Sequence, residues 1–206
     1  MTLEAHALEC IRGRRRLFSD LTFFIRPGDC FEVRGANGSG KTSLLRMLCG
    51  LLPPTSGEVL WAGERIETQR ASYVESLTYV GHRNAVKDEM TTLENLLVSS
   101  ALSGFELSGS EAQEALAHMS LVDHANTRAR YLSEGQRRRL ALARLVNCER
   151  PLWLLDEVMT SLDAGAVRRV AGLIDGHIER GGMAVIATHQ DLMLSSRLTR
   201  RIELAA

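Results

Sequence analysis

The run Gly35-Ala36-Asn37-Gly38-Ser39-Gly40-Lys41-Thr42 fits the spacing G-x-x-x-x-G-K-[ST]. Each fixed position has a chemical reason. Glycines let the backbone curl until its N–H groups point at phosphate oxygens. A helix that opens at the end of the loop adds partial positive charge. Lys41 reaches the β- and γ-phosphates of a nucleotide, and the Thr42 hydroxyl can ligate Mg²⁺. The plain alternative is a glycine-rich turn capping an ordinary helix. An apolar segment before the loop and a helical one after it favour phosphate binding.

A second cluster of chemistry stands about 120 residues further on. Leu152-Trp153-Leu154-Leu155-Asp156-Glu157 is an apolar strand ending in two acids. Ligands of open α/β sheets bind at such strand ends. Asp156 is placed to hold Mg²⁺, through water, and Glu157 to orient and polarise an attacking water. A solvated acidic turn is the competing account of these two residues. Their pairing with the phosphate loop argues against it.

These residues need a scaffold. Strand-like segments are 3–9, 21–25, 30–34, 58–61, 77–80, 152–155 and 183–187. The turn Arg26-Pro27-Gly28-Asp29 separates the second and third, as in a hairpin. Residues 41–49 form a helix with Leu44, Leu45 and Leu48 on one face, stopped by Gly50 and Pro53-Pro54. Residues 83–131 are helical and polar, with no convincing strand. Thr91 with Glu94, and Ser110 with Gln113, are capping-box patterns that start two helices there. Residues 164–178 form another helix with Asp163 as its N-cap. Continuous apolar strands on either side of it require a parallel sheet covered on both faces. The organisation is one α/β domain over 1–206, with a core of 1–82 and 132–206 and a helical subdomain near 83–131.

Composition bounds the rest. The chain has 206 residues, 25 Lys+Arg against 25 Asp+Glu, and 45% hydrophobic residues. That is globular, and a neutral balance is poor for a general nucleic-acid binder. Two local exceptions are Arg14, Arg15 and Arg16, and Arg137, Arg138 and Arg139. No stretch approaches the roughly 18 apolar residues of a membrane span. Glu4 and Glu9 interrupt any signal-peptide apolar region. Cys10, Cys30, Cys49 and Cys148 form no CxxC pair, so neither zinc nor a disulfide framework is expected, and reduced, partly buried thiols are.

Leu132-Ser133-Glu134-Gly135-Gln136, just before the acidic strand, resembles the LSGGQ signature of ABC-type ATPases. Ser133 with Gln136 is also a capping box, starting a helix through 147, and both readings are compatible. Ser161-Leu162-Asp163 looks like that family's D-loop, and His189 like its switch histidine. The resemblance covers essentially the whole chain. It implies an α/β P-loop ATPase core with a mixed sheet, an N-terminal antiparallel β subdomain and the inserted helical subdomain. It implies ATP and Mg²⁺ as cofactors. Gly35, Ala36, Asn37, Gly38, Ser39, Gly40, Lys41, Thr42 and Ser43 would bind nucleotide, with Thr42 and Asp156 on the metal and Glu157, His189 and His82 catalytic. Ser133, Gly135 and Gln136 would act on the nucleotide held by the partner in a head-to-tail homodimer.

Departures from the family pattern narrow it. His82, in Tyr79-Val80-Gly81-His82, occupies the position of the usual Q-loop glutamine. Glu134 replaces the commoner Gly. Val158 replaces the usual Pro after the catalytic acid. No aromatic stands at positions 10–12 to stack on adenine, and Arg12 offers a guanidinium face instead. With Gly57-Glu58-Val59-Leu60-Trp61, Leu93-Glu94-Asn95-Leu96 and Thr188-His189-Gln190, the chain is most similar to the ATP-binding subunits of bacterial cytochrome c maturation systems, known as haem exporters. That implies a peripheral protein on the cytoplasmic side of the inner membrane. Its partners would be integral permease subunits, a haem-handling membrane protein and a periplasmic haem chaperone, with no nucleic acid. The work would be haem export or release of haem-loaded chaperone. An ABC ATPase subunit for another cargo (lipid, peptide or metal), or a soluble ABC ATPase acting on nucleic acid, is the alternative.

Overall fold

A computed structural model of the chain describes residues 1–189, 194 and 199–204. Gln190 therefore lies outside the described residues. The chain divides into two compact units. The first holds Met1–Gly81, Arg150–Glu157 and Ile174–Ala206, and the second holds His82–Glu149 and Val158–Leu173. The helical stretch 83–131 falls inside the second.

The first unit contains two sheets. Strands β1 (Leu3–Arg12), β2 (Arg15–Ile25), β4 (Ser56–Trp61) and β5 (Glu64–Arg65) make an antiparallel sheet in the order β2-β1-β4-β5. Strands β3 (Cys30–Arg34), β6 (Leu77–Val80), β7 (Leu152–Asp156), β8 (Met183–Ala187) and β9 (Thr199–Glu203) make a parallel one, ordered β6-β7-β8-β3-β9. Every residue of β7 and β8 is buried, as a parallel sheet covered on both faces demands. Helix α1 (Lys41–Leu48) packs on β1, β7 and β8, with Leu44, Leu45 and Leu48 wholly buried. Phe23 stacks on Phe31 with ring centroids 4.7 Å apart, joining the two sheets in one core.

The hairpin expected across residues 26–29 does not form. The turn itself is present, with Asp29 N–H donating to Arg26 O and Arg26 N–H to Asp29 Oδ2, both 2.9 Å. It hands the chain from one sheet to the other, so β2 pairs with β1 while β3 pairs with β8 and β9. An apolar run buried in the middle of a parallel sheet reads locally like a hairpin arm. Helix α2 (Arg70–Ser76) had no amphipathic signal, because Tyr73 is its one buried residue. Tyr73 hydroxyl donates to Leu48 O and its ring lies 5.6 Å from Trp61.

The second unit holds α3 (Thr92–Leu102), α4 (Gly109–His118) and α5 (Glu134–Ala143), and takes in the start of α6 (Ala164–Glu179). Thr91 and Glu94 form the expected capping box on α3. The box on α4 is two residues earlier than expected. Ser108 Oγ accepts from Glu111 N–H at 3.2 Å, and Glu111 Oε2 accepts from Ser108 N–H at 2.8 Å. Glu111 wins over Gln113 because a carboxylate gains more at a helix N-terminus than an amide does. α5 ends at Ala143 and not at 147. Leu145 N–H and Val146 N–H donate to residues three back, a tightened turn that ends the helix before β7. Asp163 caps α6 as expected, Oδ1 accepting from Ala166 N–H at 2.8 Å. None of the four cysteines forms a disulfide among the described residues, and all are buried. Burial and the neighbouring acids Glu32, Asp175 and Asp29 push the Cys30 thiol up to about 12. Burial pushes Cys49 up to about 11.

Candidate functional site

The phosphate loop leaves β3 at Gly35 and enters α1 at Lys41. Its glycines are required by space as well as by φ. A Cβ on Gly35 (φ 148) would lie 2.5 Å from Ser39 Oγ and 2.6 Å from Leu204 O. One on Gly40 (φ 106), the residue before α1, would press on Leu17 and Phe18 at 3.1 Å. Leu17 and Phe18 thus close the back of the loop, a role sequence reading did not find. Lys41 is 5% exposed, and its Nζ donates to Gly35 O at 2.8 Å and Ala36 O at 3.3 Å. Ser39 Oγ is buried with no hydrogen-bond partner among the described residues. A buried orphan hydroxyl and a buried ammonium in one loop suit an anionic ligand.

The acids arrive on β7. Asp156 ends that strand and is wholly buried. Tyr79's own burial, and after it the Asp156 charge, raise the Tyr79 phenol. Glu157 follows at φ 51, left-handed backbone that a non-glycine side chain adopts at a cost of about 1 kcal/mol or more. Its N–H donates to Ala187 O at 2.9 Å, fastening this turn to the end of β8. One Glu157 oxygen lies 3.5 Å from Lys41 Nζ. The other accepts from His189 Nδ1 at 2.8 Å. His189 is placed by Thr188, whose N–H donates to Val33 O on β3 at 3.1 Å. One carboxylate therefore bridges the phosphate-loop lysine and an imidazole, all within the first unit.

Thr42 Oγ1 and the Asp156 carboxylate are hard oxygen donors, which Mg²⁺ prefers and of which it needs only one or two beside water. Among the described residues no group of three or more His, Cys, Asp or Glu side chains is placed to hold a metal. At positions 10–12, Cys10 is buried on β1 and Arg12 is exposed at its end, opposite Arg15.

His82, Ser133, Gly135 and Gln136 belong to the second unit. Ser133 Oγ accepts from Gln136 N–H at 3.2 Å and Gln136 Oε1 from Ser133 N–H at 2.8 Å, so the expected capping box starts α5. Gln136 Nε2 also lies 2.8 Å from His124 Nε2. A Cβ on Gly135 would stand 2.8 Å from Ser161 O. Ser161 is itself left-handed, at φ 64. Position 135 therefore has no room for a side chain beside the Ser161 carbonyl. Glu134 accepts from Asn84 Nδ2 at 3.1 Å, and sequence reading had no signal for that partner.

The family model described as ABC transporter matches residues 18–160. A cytochrome c biogenesis ATP-binding export protein, CcmA, of Dechloromonas aromatica (strain RCB) is 50% identical, over 98% of this chain and 99% of that protein. The chain belongs to the ABC transporter family, in the branch of these cytochrome c biogenesis ATP-binding proteins. As a member of this ABC family it binds ATP and is an ATPase. The protein of the same name from Nitrosospira multiformis is 49% identical over 98% of both chains. Solved structures of the ABC family share the fold. An ATP-binding protein of Pyrococcus furiosus superposes with a TM-score of 0.84 at 21% identity, over 98% of this chain and 97% of that one. An ATP-binding cassette in a post-hydrolysis dimer bound to ADP and Pi does so at 0.79 and 22%, over 91% and 88%.

Proposed function

We propose that the chain is the ATP-hydrolysing subunit of a transporter complex that serves c-type cytochrome biogenesis. It couples ATP binding and hydrolysis to haem export or to release of a haem-loaded chaperone. The bridge Lys41–Glu157–His189 carries the hydrolytic part of this reading, and half-identity to cytochrome c biogenesis export proteins over the full length supports the biological part.

Backbone N–H groups of residues 35–43 and the Lys41 ammonium bind the nucleotide phosphates. Phosphate oxygens are stronger acceptors than the loop carbonyls Lys41 now engages. Thr42 and Asp156 hold Mg²⁺, which offsets phosphate charge when bound. Glu157 orients the attacking water and takes up its proton. His189 fixes the Glu157 carboxylate at one oxygen, leaving the other toward Lys41. His82, in place of an amide, orients water or a phosphate oxygen. Ser133, Gly135 and Gln136 complete the site of a second copy in a head-to-tail homodimer. Such a dimer closes on ATP and opens after hydrolysis, giving a bistable element that can drive a partner.

No helix among the described residues is long and apolar enough to cross a membrane, so transport would require separate permease subunits. We place the chain peripherally on the cytoplasmic side of the inner membrane, as one ATPase domain whose helical stretch 83–131 and His82 face those subunits. A haem-handling membrane protein and a periplasmic haem chaperone complete the set.

The test replaces the chromosomal copy by Lys41→Ala and stains membranes for covalent haem. Loss of stained c-type cytochromes, with the variant and the apocytochromes still expressed, is the expected result. Unchanged bands would move the ATPase to another cargo.

A further inference from the structure

The run Arg137, Arg138, Arg139 is a basic feature the proposed function leaves unused. It is not a solvated patch. Each guanidinium runs to a different segment of the second unit. Arg137 pairs with Asp88. Arg139 Nη1 donates to Met119 O and Ser120 O, both at 3.0 Å, securing the end of α4. Arg138 is 3% exposed. Its Nε donates to Val158 O at 3.3 Å, and its Nη1 to Asn84 Oδ1 at 3.1 Å and His82 O at 3.4 Å.

A buried guanidinium cannot shed its charge, so its donors must be satisfied. Two backbone carbonyls and an amide that lie far apart in sequence accept from its Nε and Nη1. Val158 directly follows Glu157, and His82 is the Q-loop candidate. Asn84 then turns back to α5, its Nδ2 donating to Glu134 Oε1 at 3.1 Å. Glu134 is the residue next to Ser133 that departs from the commoner glycine. The result is a closed circuit from Glu134 to Asn84 to Arg138, with both ends on one helix. The planar fork of arginine can span carbonyl and amide together, which a lysine ammonium on a flexible stem cannot hold in one geometry.

We propose that Arg138 is a positioning residue for hydrolysis: with Asn84 and Glu134 it locks the 82–84 segment to the signature helix. Displacement of His82 is thereby passed to Ser133 and to the peptide that follows Glu157. The proposal rests on the assignment of His82, Ser133 and Glu157 to the ATPase site.

The test uses the purified full-length chain. Arg138→Gln and Arg138→Lys remove the fork. Asn84→Ala removes the middle of the circuit, one acceptor of Arg138 included, and Glu134→Gly removes only its outer end; both leave the buried cation in place. Three quantities are read: kcat and KM for ATP, melting temperature, and hydrogen exchange of the backbone amides of residues 82–88. Both Arg138 variants are expected to lower kcat about tenfold with KM changed by less than about twofold. Asn84→Ala is expected to lower it about threefold, and to speed exchange in 82–88 about as much as Arg138→Gln does. A lower melting temperature with wild-type kcat per folded molecule would overturn the proposal, since that is all a structural residue would do. Unchanged exchange at 82–88 in both Asn84→Ala and Glu134→Gly would overturn it too. If Glu157→Gln hydrolyses ATP like wild type, the site assignment has failed instead, and the exchange data still decide whether the circuit holds the segment.

Discussion

A single carboxylate, Glu157, faces two cationic or protonatable partners, and that arrangement separates catalysis from binding. Glu157→Gln keeps the volume and can still hydrogen-bond His189, but it cannot accept a proton. Steady-state turnover is expected to fall about 100-fold or more, with ATP affinity within about threefold of wild type, as titration with a fluorescent nucleotide would read. A parallel loss of affinity would move Glu157 into the binding role. Gly135 offers a test of sign. An alanine inside a helix normally adds about 0.5–1 kcal/mol over glycine. Here its Cβ would meet Ser161 O at 2.8 Å, and backbone cannot swing aside as a side-chain end can. Gly135→Ala should therefore destabilise the fold by about 1–3 kcal/mol in urea unfolding. The placement of the phosphate-loop motif between a strand and a helix, and of the two acids at a strand end, was legible in sequence because glycine spacing and an unbroken apolar run mark both. Asn84, Leu17 and Phe18 were not, since each matters through a partner distant in the chain.

Among the elements, four strands of the parallel sheet were legible to within a residue, because burial leaves an unbroken apolar run; the fifth, β9, was not, since Thr199-Arg200-Arg201-Ile202-Glu203 has one apolar residue and lies last in the sheet order. Pairing was less legible. A turn with Pro and Gly marks a reversal of direction but not which sheet receives the next strand, and so the 26–29 hairpin was misread. Caps were legible where one box stood alone, Thr91 with Glu94 and Ser133 with Gln136, and not where Ser108 with Glu111 competed with Ser110 and Gln113. Ser108→Ala should cost α4 about 1 kcal/mol, and Ser110→Ala within about 0.5 kcal/mol of nothing, in the same unfolding assay. Equal losses would restore the later cap. The contact of α6 with β7 has a pH signature. His177 stacks on Trp153 with centroids 3.9 Å apart and Nε2 at 3.2 Å from Met183 O. Burial holds it at about 4, below the ordinary 6.5. The unfolded chain thus binds a proton in that window that the folded chain refuses. Stability is fully present above about pH 6.5 and is lost as the pH falls toward 4, by on the order of 3 kcal/mol. Denaturation midpoints measured from pH 7 to 4 should decline, and His177→Gln should flatten that slope.

At the scale of the molecule, the site residues divide between two units of the chain, and the proposed dimer gives each division a use. One copy offers Lys41, Asp156, Glu157 and His189, and the other offers Ser133, Gly135 and Gln136. That arrangement predicts a result no single-chain site can give. Lys41→Ala disables the phosphate loop and Ser133→Glu disables the signature, so either homodimer should be inactive. A mixed dimer joins the intact loop of one variant to the intact signature of the other, leaving one whole site beside one doubly damaged site. Random exchange makes half of the dimers mixed. Mixing equal amounts of the two inactive proteins should therefore restore up to about a quarter of the wild-type ATPase activity. If loop and signature of the same chain formed the site, every copy in the mixture would stay broken and activity would remain at background. Restoration should also grow with total protein concentration below the dimer's dissociation constant, because the active species forms only by association.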